Sequence, residues 1–305
     1  ARPEEIAAIS GNGWAIGSLG GIVCLLIILP LIILFPGTLM VRISMLITAA
    51  FYALAAVPVI LWLPERRKAR ALPDGATYLG VAIARLRRTA GRARSFKEFI
   101  KFIASYMVYN GGVLMALNFA SIIGAVLFGM GEQQLILFVI LVNVTNVFGA
   151  WCFGMAARRA GSRQALIVSL VLMVVVIVSM FAAQTVTAFF IVGAFAGFAM
   201  AGIQSLSRTI VSELSPEEQS TEFYSFFAVA GQSSAFLGPA VYGIVAAEMA
   251  LWYQARGHAE LLSEQLGQRA AILSIGVFLL IGLLVLVFVR QGEHSKDRAV
   301  GGEGV

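Results

Sequence analysis

Eight long apolar stretches follow one another along this chain, and they leave little choice of fold. They run over about 13–35, 40–63, 98–125, 133–156, 164–183, 186–207, 222–247 and 269–290. A mostly apolar run of roughly 20 residues is long enough to cross the hydrocarbon of a bilayer as a helix. In oil every backbone N–H and C=O must be paired internally, which a helix does by itself. No stretch alternates apolar and polar residues between hairpin turns, so no strand is expected. Composition agrees: 59% of the residues are hydrophobic and 12% charged, against roughly 45–50% and 25% in soluble domains. The expected fold is an all-α membrane protein. Cys24 and Cys152 both fall inside apolar stretches and read as packing residues rather than a disulfide framework. The opening ARPEEIAAIS lacks the basic start, apolar run and cleavage site of a secretory signal.

The net charge of +6 does not point to nucleic acid, because the basic residues lie between the apolar stretches. With both ends on the same side, 19 of the 22 lysines and arginines fall on that side. Only Arg42, Arg256 and Arg269 fall on the other. The positive-inside bias therefore places both termini in the cytoplasm, and a bacterial inner membrane is the expected location. The basic segment 64–97 divides the chain. It separates two spans (1–63) from a six-span unit with a short tail (98–305). Within it, Tyr78, Ile83 and Leu86 fit either an amphipathic helix on anionic headgroups or a solvated linker. A second connection, 248–268, carries Trp252, Tyr253, His258 and mixed charge, and reads as a loop.

Pro3-Glu4-Glu5 recurs as Pro216-Glu217-Glu218. Each is followed by a helix rich in small residues and then by one further span, the kind of weak self-similarity that repeated transporter bundles leave. Four spans lie between the basic segment and the second copy; none precedes the first. If the halves are equivalent, about four helices are missing at the N-terminus, and the chain is a 2 + 6 part of a 6 + 6 protein.

Small residues form stripes. Gly13, Gly17 and Gly21 recur every four residues, and Gly193 and Gly197 repeat the spacing. Such stripes let helix backbones approach closely, and the same residues would serve a surface that slides as bundles rock. Polar residues gather in several spans: Tyr106, Tyr109, Asn110 and Asn118 in the third, Asn143, Thr145 and Asn146 in the fourth, Gln204 in the sixth, Gln232 in the seventh. One such amide alone is interhelical glue; a set drawn from several helices fits a polar cavity for a solute. Arg208 and Glu222 flank the turn after the sixth span, as a pair, as caps or as part of a gate. The two histidines, His258 and His294, lie outside the spans, and no Cys/His/carboxylate cluster has metal-ligand spacing. With no nucleophile-and-base set and no P-loop, neither an embedded enzyme nor an ATP-driven pump is expected, and no cofactor or metal is called for.

These residues also carry a resemblance. Gly202, Gln204, Leu206-Ser207-Arg208, Pro216, Glu222-Phe223, Gly231 and Leu237-Gly238-Pro239 resemble the tenth and eleventh helices of the vacuole effluxer-like branch of the major facilitator superfamily. Gly11, Gly13, Gly17 and Gly20-Gly21 resemble its fifth, and Tyr109-Asn110 with Gly112 the start of its seventh. Gly154, Arg159, Gly161 and Arg163 look like the superfamily loop between helices eight and nine. The resemblance numbers the eight spans five to twelve. It implies alternating access by two bundles, with solute exported in some members and amino acids as a candidate cargo. Three charges depart from the pattern: Gly111 stands where an acid is common, Arg158 where an aspartate is usual, and Gln232 where a lysine is common. That favours a hydrogen-bonding pocket over a charge-coupled one.

The resulting expectations are specific. Tyr109, Asn110, Asn146, Gln204 and Gln232 line a solute site. Arg158, Arg159, Arg208 and Glu222 act at the inner face. Gly13, Gly17, Gly21, Gly193, Gly197, Gly238 and Pro239 pack helices. The partners are a small solute, the bilayer and the missing N-terminal helices, in the same or a separate chain. The rival reading is a truncated membrane protein that transports nothing and acts as a structural or regulatory partner.

Overall fold

Each apolar stretch folds as a helix that outruns its apolar part. In the computed structural model, residues 3–35, 37–62, 96–216 and 219–289 are described. They form α1 (Pro3–Leu34), α2 (Thr38–Trp62), α3 (Lys97–Phe128), α4 (Glu132–Ala160), α5 (Ser162–Ala182), α6 (Val186–Leu214), α7 (Ser220–Ala255) and α8 (Glu260–Val287). No strand occurs among the described residues. All eight helices are long and apolar enough to cross a membrane. The basic segment, apart from its last residues, and the C-terminal tail with His294 lie outside the described residues, as do Glu217 and Glu218.

The expected loop at 248–268 is a correction. α7 runs on to Ala255 and α8 starts at Glu260, so only 256–259 turn. The polar residues of this segment, such as Glu248, Glu260 and Glu264, are exposed. Charged residues end an apolar run without ending a helix, since glutamate and glutamine are good helix formers. Arg256 closes the turn by lying over the Trp252 ring, 3.5 Å from its centroid. Elsewhere the turns are chemically explicit. Gly129 leaves α3 at φ 63°, a left-handed geometry that glycine adopts without a Cβ penalty. The Thr185 hydroxyl accepts the Ala188 N–H at 3.2 Å and caps α6.

Helices α3–α8 form a closed group. α3 packs on α7 and α8, α6 packs on α4 and α5, and α5 against α8 joins the two trios. That joint is fastened at both ends. Arg163 donates to the Val287 carbonyl at 2.5 Å, and Arg269 to the Phe181 carbonyl at 3.0 Å. Each arginine satisfies a carbonyl at the C-terminal end of its neighbour, where the helix has none of its own donors left. Because lipid is as apolar as leucine, these helices associate through close packing rather than hydrophobic burial. Gly149 and Gly197 set α4 directly against α6, at the Phe198 and Val142 backbones. α1 lies along α4 and α6, and α2 packs on α1. α2 buries none of its residues.

Candidate functional site

A cavity of about 460 Å³ opens between α3, α6 and α7. It is lined by Tyr106 of α3, Arg208 of α6, and Tyr224, Phe227, Ala228, Gly231 and Gln232 of α7. The α7 residues recur at i, i+3, i+4, i+7 and i+8, one face of a helix. Phe227 and Tyr106 close one wall, with ring centroids 4.2 Å apart. Gly231 makes room for the Tyr106 hydroxyl, because a Cβ there would sit 3.1 Å from that oxygen. Tyr224 donates its hydroxyl to the Arg208 carbonyl at 3.2 Å, which ties α7 to α6 at the mouth of the site.

Arg208 is exposed in this cavity, and its guanidinium stacks on the Trp14 ring of α1, 5.2 Å from the centroid. Among the described residues it has no ion pair and no hydrogen-bond acceptor; the one ion pair there joins Lys101 to Glu98. Arg208 and Glu222 are therefore not a pair with each other. Glu222 is half-buried and engaged elsewhere. The Gln232 amide is exposed, and neither it nor the Tyr106 hydroxyl has a hydrogen-bond partner among the described residues. No carboxylate lines the cavity among the described residues.

One turn further along α3 and α6 the polar groups are used up. Gln204 donates to the Asn110 side-chain oxygen at 3.2 Å, and the Tyr109 hydroxyl is 2.7 Å from that of Ser207. Both contacts bind α3 to α6. Tyr109 is fully buried against Gly282 of α8, and Asn110 is 3% exposed. Asn146 sits apart, at the junction of α1, α4 and α6. Its oxygen accepts from Trp14 Nε1 and Ser18 Oγ, both at 2.7 Å, and its nitrogen donates to the Gly197 carbonyl at 3.1 Å. Ser10 adds a bond to the Ser205 carbonyl at 2.9 Å. Of the five residues expected to line one site, only Gln232 is on the cavity wall. Asn143 and Thr145 bond to carbonyls of their own helix, and Asn118 is exposed.

Arg158 and Arg159 are exposed in the last turn of α4, where the helix dipole favours positive charge. Among the glycines, Gly193 faces the Phe138 ring and Gly197 the Val142 carbonyl. A Cβ on Gly238, the residue before Pro239, would lie 2.6 Å from the Gly111 carbonyl oxygen. A Cβ at Gly111 would in turn lie 3.0 Å from Phe278, so this close crossing leaves no room for an acidic side chain there. Among the described residues Gly21 has only the Asn143 oxygen nearby at 3.6 Å, and Gly13 and Gly17 have nothing within 4 Å. On α1 the tight residue is Gly11, whose Cβ would be 2.9 Å from the Ala150 carbonyl oxygen. Tyr224 and Phe227 are wall residues absent from the expected lining set, and Tyr106, grouped above with the polar residues of its span, joins them on the wall. The i, i+3, i+4, i+7 spacing of Tyr224, Phe227, Ala228 and Gly231 is the sequence signal that could have found the α7 face.

Comparison with known proteins bears on what such a cavity serves. The family model for vacuole effluxer Atg22-like proteins matches residues 2–298. An uncharacterized MFS-type transporter of Bacillus subtilis, YxiO, is 25% identical over 303 residues, covering 97% of this chain and 66% of that protein. Autophagy-related protein 22-1 of Neosartorya fischeri is 23% identical, covering 94% of this chain and 49% of that protein. The chain thus spans about half to two-thirds of these relatives. In fold it resembles a bacterial homolog of the human lysosomal transporter Spinster, solved inward-facing and occupied. The TM-score is 0.58 at 14% identity, with 92% of this chain and 67% of that chain covered.

Proposed function

This chain belongs to the vacuole effluxer Atg22-like family, of the major facilitator type of membrane transporter, and we propose that it forms the solute-handling part of a secondary carrier. The carrier moves a small polar solute outward by alternating access, with amino acids among the candidate cargoes. The observation that carries the reading is the cavity itself: about 460 Å³ of space among apolar helices, edged by Arg208, Gln232 and Tyr106, whose side-chain polar groups have no hydrogen-bond partner among the described residues. Unpaired polar groups in hydrocarbon are costly, and where they persist they face a water-filled path or a ligand.

The division of labour follows the packing. α3–α8 make one bundle, and α1 and α2 belong to a second bundle whose other helices cover the open side of α1. What supports this is the exposure of Ile16 (69%) next to Gly17, which has open space around it among the described residues. Rocking would then move α1 across α4 and α6, making and breaking the bonds of Trp14 and Ser18 to Asn146. Asn110 and Gln204 brace the inner end of the cavity and take part when it reshapes around solute. Arg158, Arg159, Arg208 and Glu222 act at the cytoplasmic side. The bias of lysine and arginine supports a cytoplasmic position for both termini, and the Bacillus relative supports a bacterial cell membrane.

The test is solute flux in proteoliposomes. The complete carrier, with the helices that cover α1 and α2, should move solute above empty vesicles, and Gln204→Ala should reduce that flux while leaving membrane abundance intact. The 305-residue chain alone should not transport. A complete protein that is folded, abundant and inert toward every small solute tried would favour the structural-partner reading instead.

A further inference from the structure

Resting on the transport reading above but narrowing its cargo, we propose that the cavity is selective for organic anions, a carboxylate on an apolar or aromatic body without a compensating ammonium group, which ranks amino acids below simple carboxylates among the candidates. Among the described residues the polar lining carries one formal charge, and it is positive. Arg208 offers a planar guanidinium with five N–H groups, a shape that fits a carboxylate through two parallel bonds. The Tyr106 hydroxyl and the Gln232 amide, which have no hydrogen-bond partner among the described residues, add further donors, and no lining residue among the described ones carries negative charge. Arg208 is held ready for an anion without being neutralised by one. Its guanidinium rests on the Trp14 ring at 5.2 Å, and its backbone carbonyl is fixed by Tyr224. A ring holds a cation through its quadrupole and leaves the edge donors of the guanidinium unspent. Arg208 lies near the C-terminal end of α6 with no ion pair among the described residues, so its charge is left to the cavity it lines.

The rest of the wall decides what the anion is attached to. Phe227, Ala228 and the face of Tyr106 are apolar, so the body of the solute is met by carbon. The volume lies in the range of small-molecule pockets, roughly 300–1,000 Å³. A zwitterion would bring an ammonium group into a site with a fixed cation and no carboxylate among the described residues, and a cation would meet only repulsion from Arg208.

Three probes that share one aromatic body separate these cases: 3-phenylpropionate, L-phenylalanine and phenethylamine. Their binding to the purified 305-residue chain in lipid nanodiscs is measured by calorimetry. 3-Phenylpropionate should bind at least 10-fold more tightly than L-phenylalanine, and phenethylamine should not compete. Arg208→Gln should weaken 3-phenylpropionate at least 10-fold, Arg208→Lys less, and Tyr106→Phe, which keeps the ring, about 3-fold. Thermal unfolding of each variant identifies any loss of fold, and Tyr106→Phe serves as the mild variant if Arg208→Gln does not fold. Equal binding of the zwitterion or the amine overturns the proposal, as does unchanged affinity in Arg208→Gln. The outcome is separable from the transport reading. Anion-selective binding with no flux from the complete carrier sinks transport and leaves the site. Flux of a zwitterion or cation without anion preference does the reverse.

Discussion

Asn146 and Arg208 both sit in apolar helices, and both touch Trp14, yet the protein treats them in opposite ways. Trp14 gives its indole N–H to Asn146 and its ring face to Arg208. Asn146 ends up with three hydrogen bonds at 2% exposure. Arg208 ends up with a ring beneath it and open space ahead. A polar group inside a membrane protein becomes glue when neighbouring helices saturate it, and a site when they stop short. Residue type does not separate the two outcomes; the count of satisfied donors and acceptors does.

The strongest way to break the saturated side is through the backbone it depends on. Gly197 lies against the Val142 carbonyl, and its own carbonyl accepts from Asn146. Gly197→Leu should therefore force α4 from α6 and dissolve the Asn146 junction. The expected cost is about 3 kcal/mol, at the high end for overpacking, read as a large fall in folded protein and in the thermal midpoint. A milder change follows: Asn146→Leu removes three bonds and strands the Trp14 N–H, at about 1–3 kcal/mol. Trp14→Phe keeps a ring under Arg208 but deletes that N–H. If Asn146 is glue, the two substitutions together should cost less than their sum, since they share one bond. Additive costs would show that the Trp14–Asn146 bond contributes nothing.

The brace between the two regions should show a split result. Asn110 and Gln204 share a single hydrogen bond, and such bonds between membrane helices average about 0.6 kcal/mol. Gln204→Ala should lower the thermal midpoint only slightly while cutting flux in the complete carrier several-fold. An equal loss of abundance and flux would assign Gln204 to the glue class with Asn146.

How much of this was legible beforehand divides along the same line. The eight helices were readable because bilayer crossing imposes a length and a composition on each one. Their ends were less so, since Glu260 and Glu264 are exposed helix formers that hydropathy cannot distinguish from loop. The candidate site was only partly readable. Asn110, Asn146, Gln204 and Gln232 are all amides in apolar helices. Their fates depend on which helix faces which, and on whether a donor such as Ser18 arrives from 128 residues away. Tyr109 and Tyr106 differ by less than one turn of α3, yet one is buried against Gly282 and the other faces the cavity. Gly111 in place of an acid was read as a loss of charge. The crossing with Gly238 and Phe278 supplies a steric reason for it as well.

The smallest expected effect tests where the molecule's open face leads. Gly13 and Gly17 have the four-residue spacing of Gly193 and Gly197, but their surroundings are empty among the described residues. In the 305-residue chain, Gly13→Leu should change the thermal midpoint by no more than an exposed apolar substitution does, within about 0.5 kcal/mol. If further helices pack on α1, the same substitution in the complete carrier should act as Gly197→Leu does here, by holding two backbones apart. Abundance and flux should both fall there, although the chain alone is indifferent. If Gly13→Leu is silent in both contexts, the stripe faces lipid, and the second bundle must meet α1 and α2 along some other face. A substitution harmful in the chain alone would instead mean that Gly13 is already packed, which the open space around it contradicts. The pair Gly13 and Gly197 thus separates spacing from contact: the same interval of residues places one glycine at an interface that exists and the other at one that is proposed.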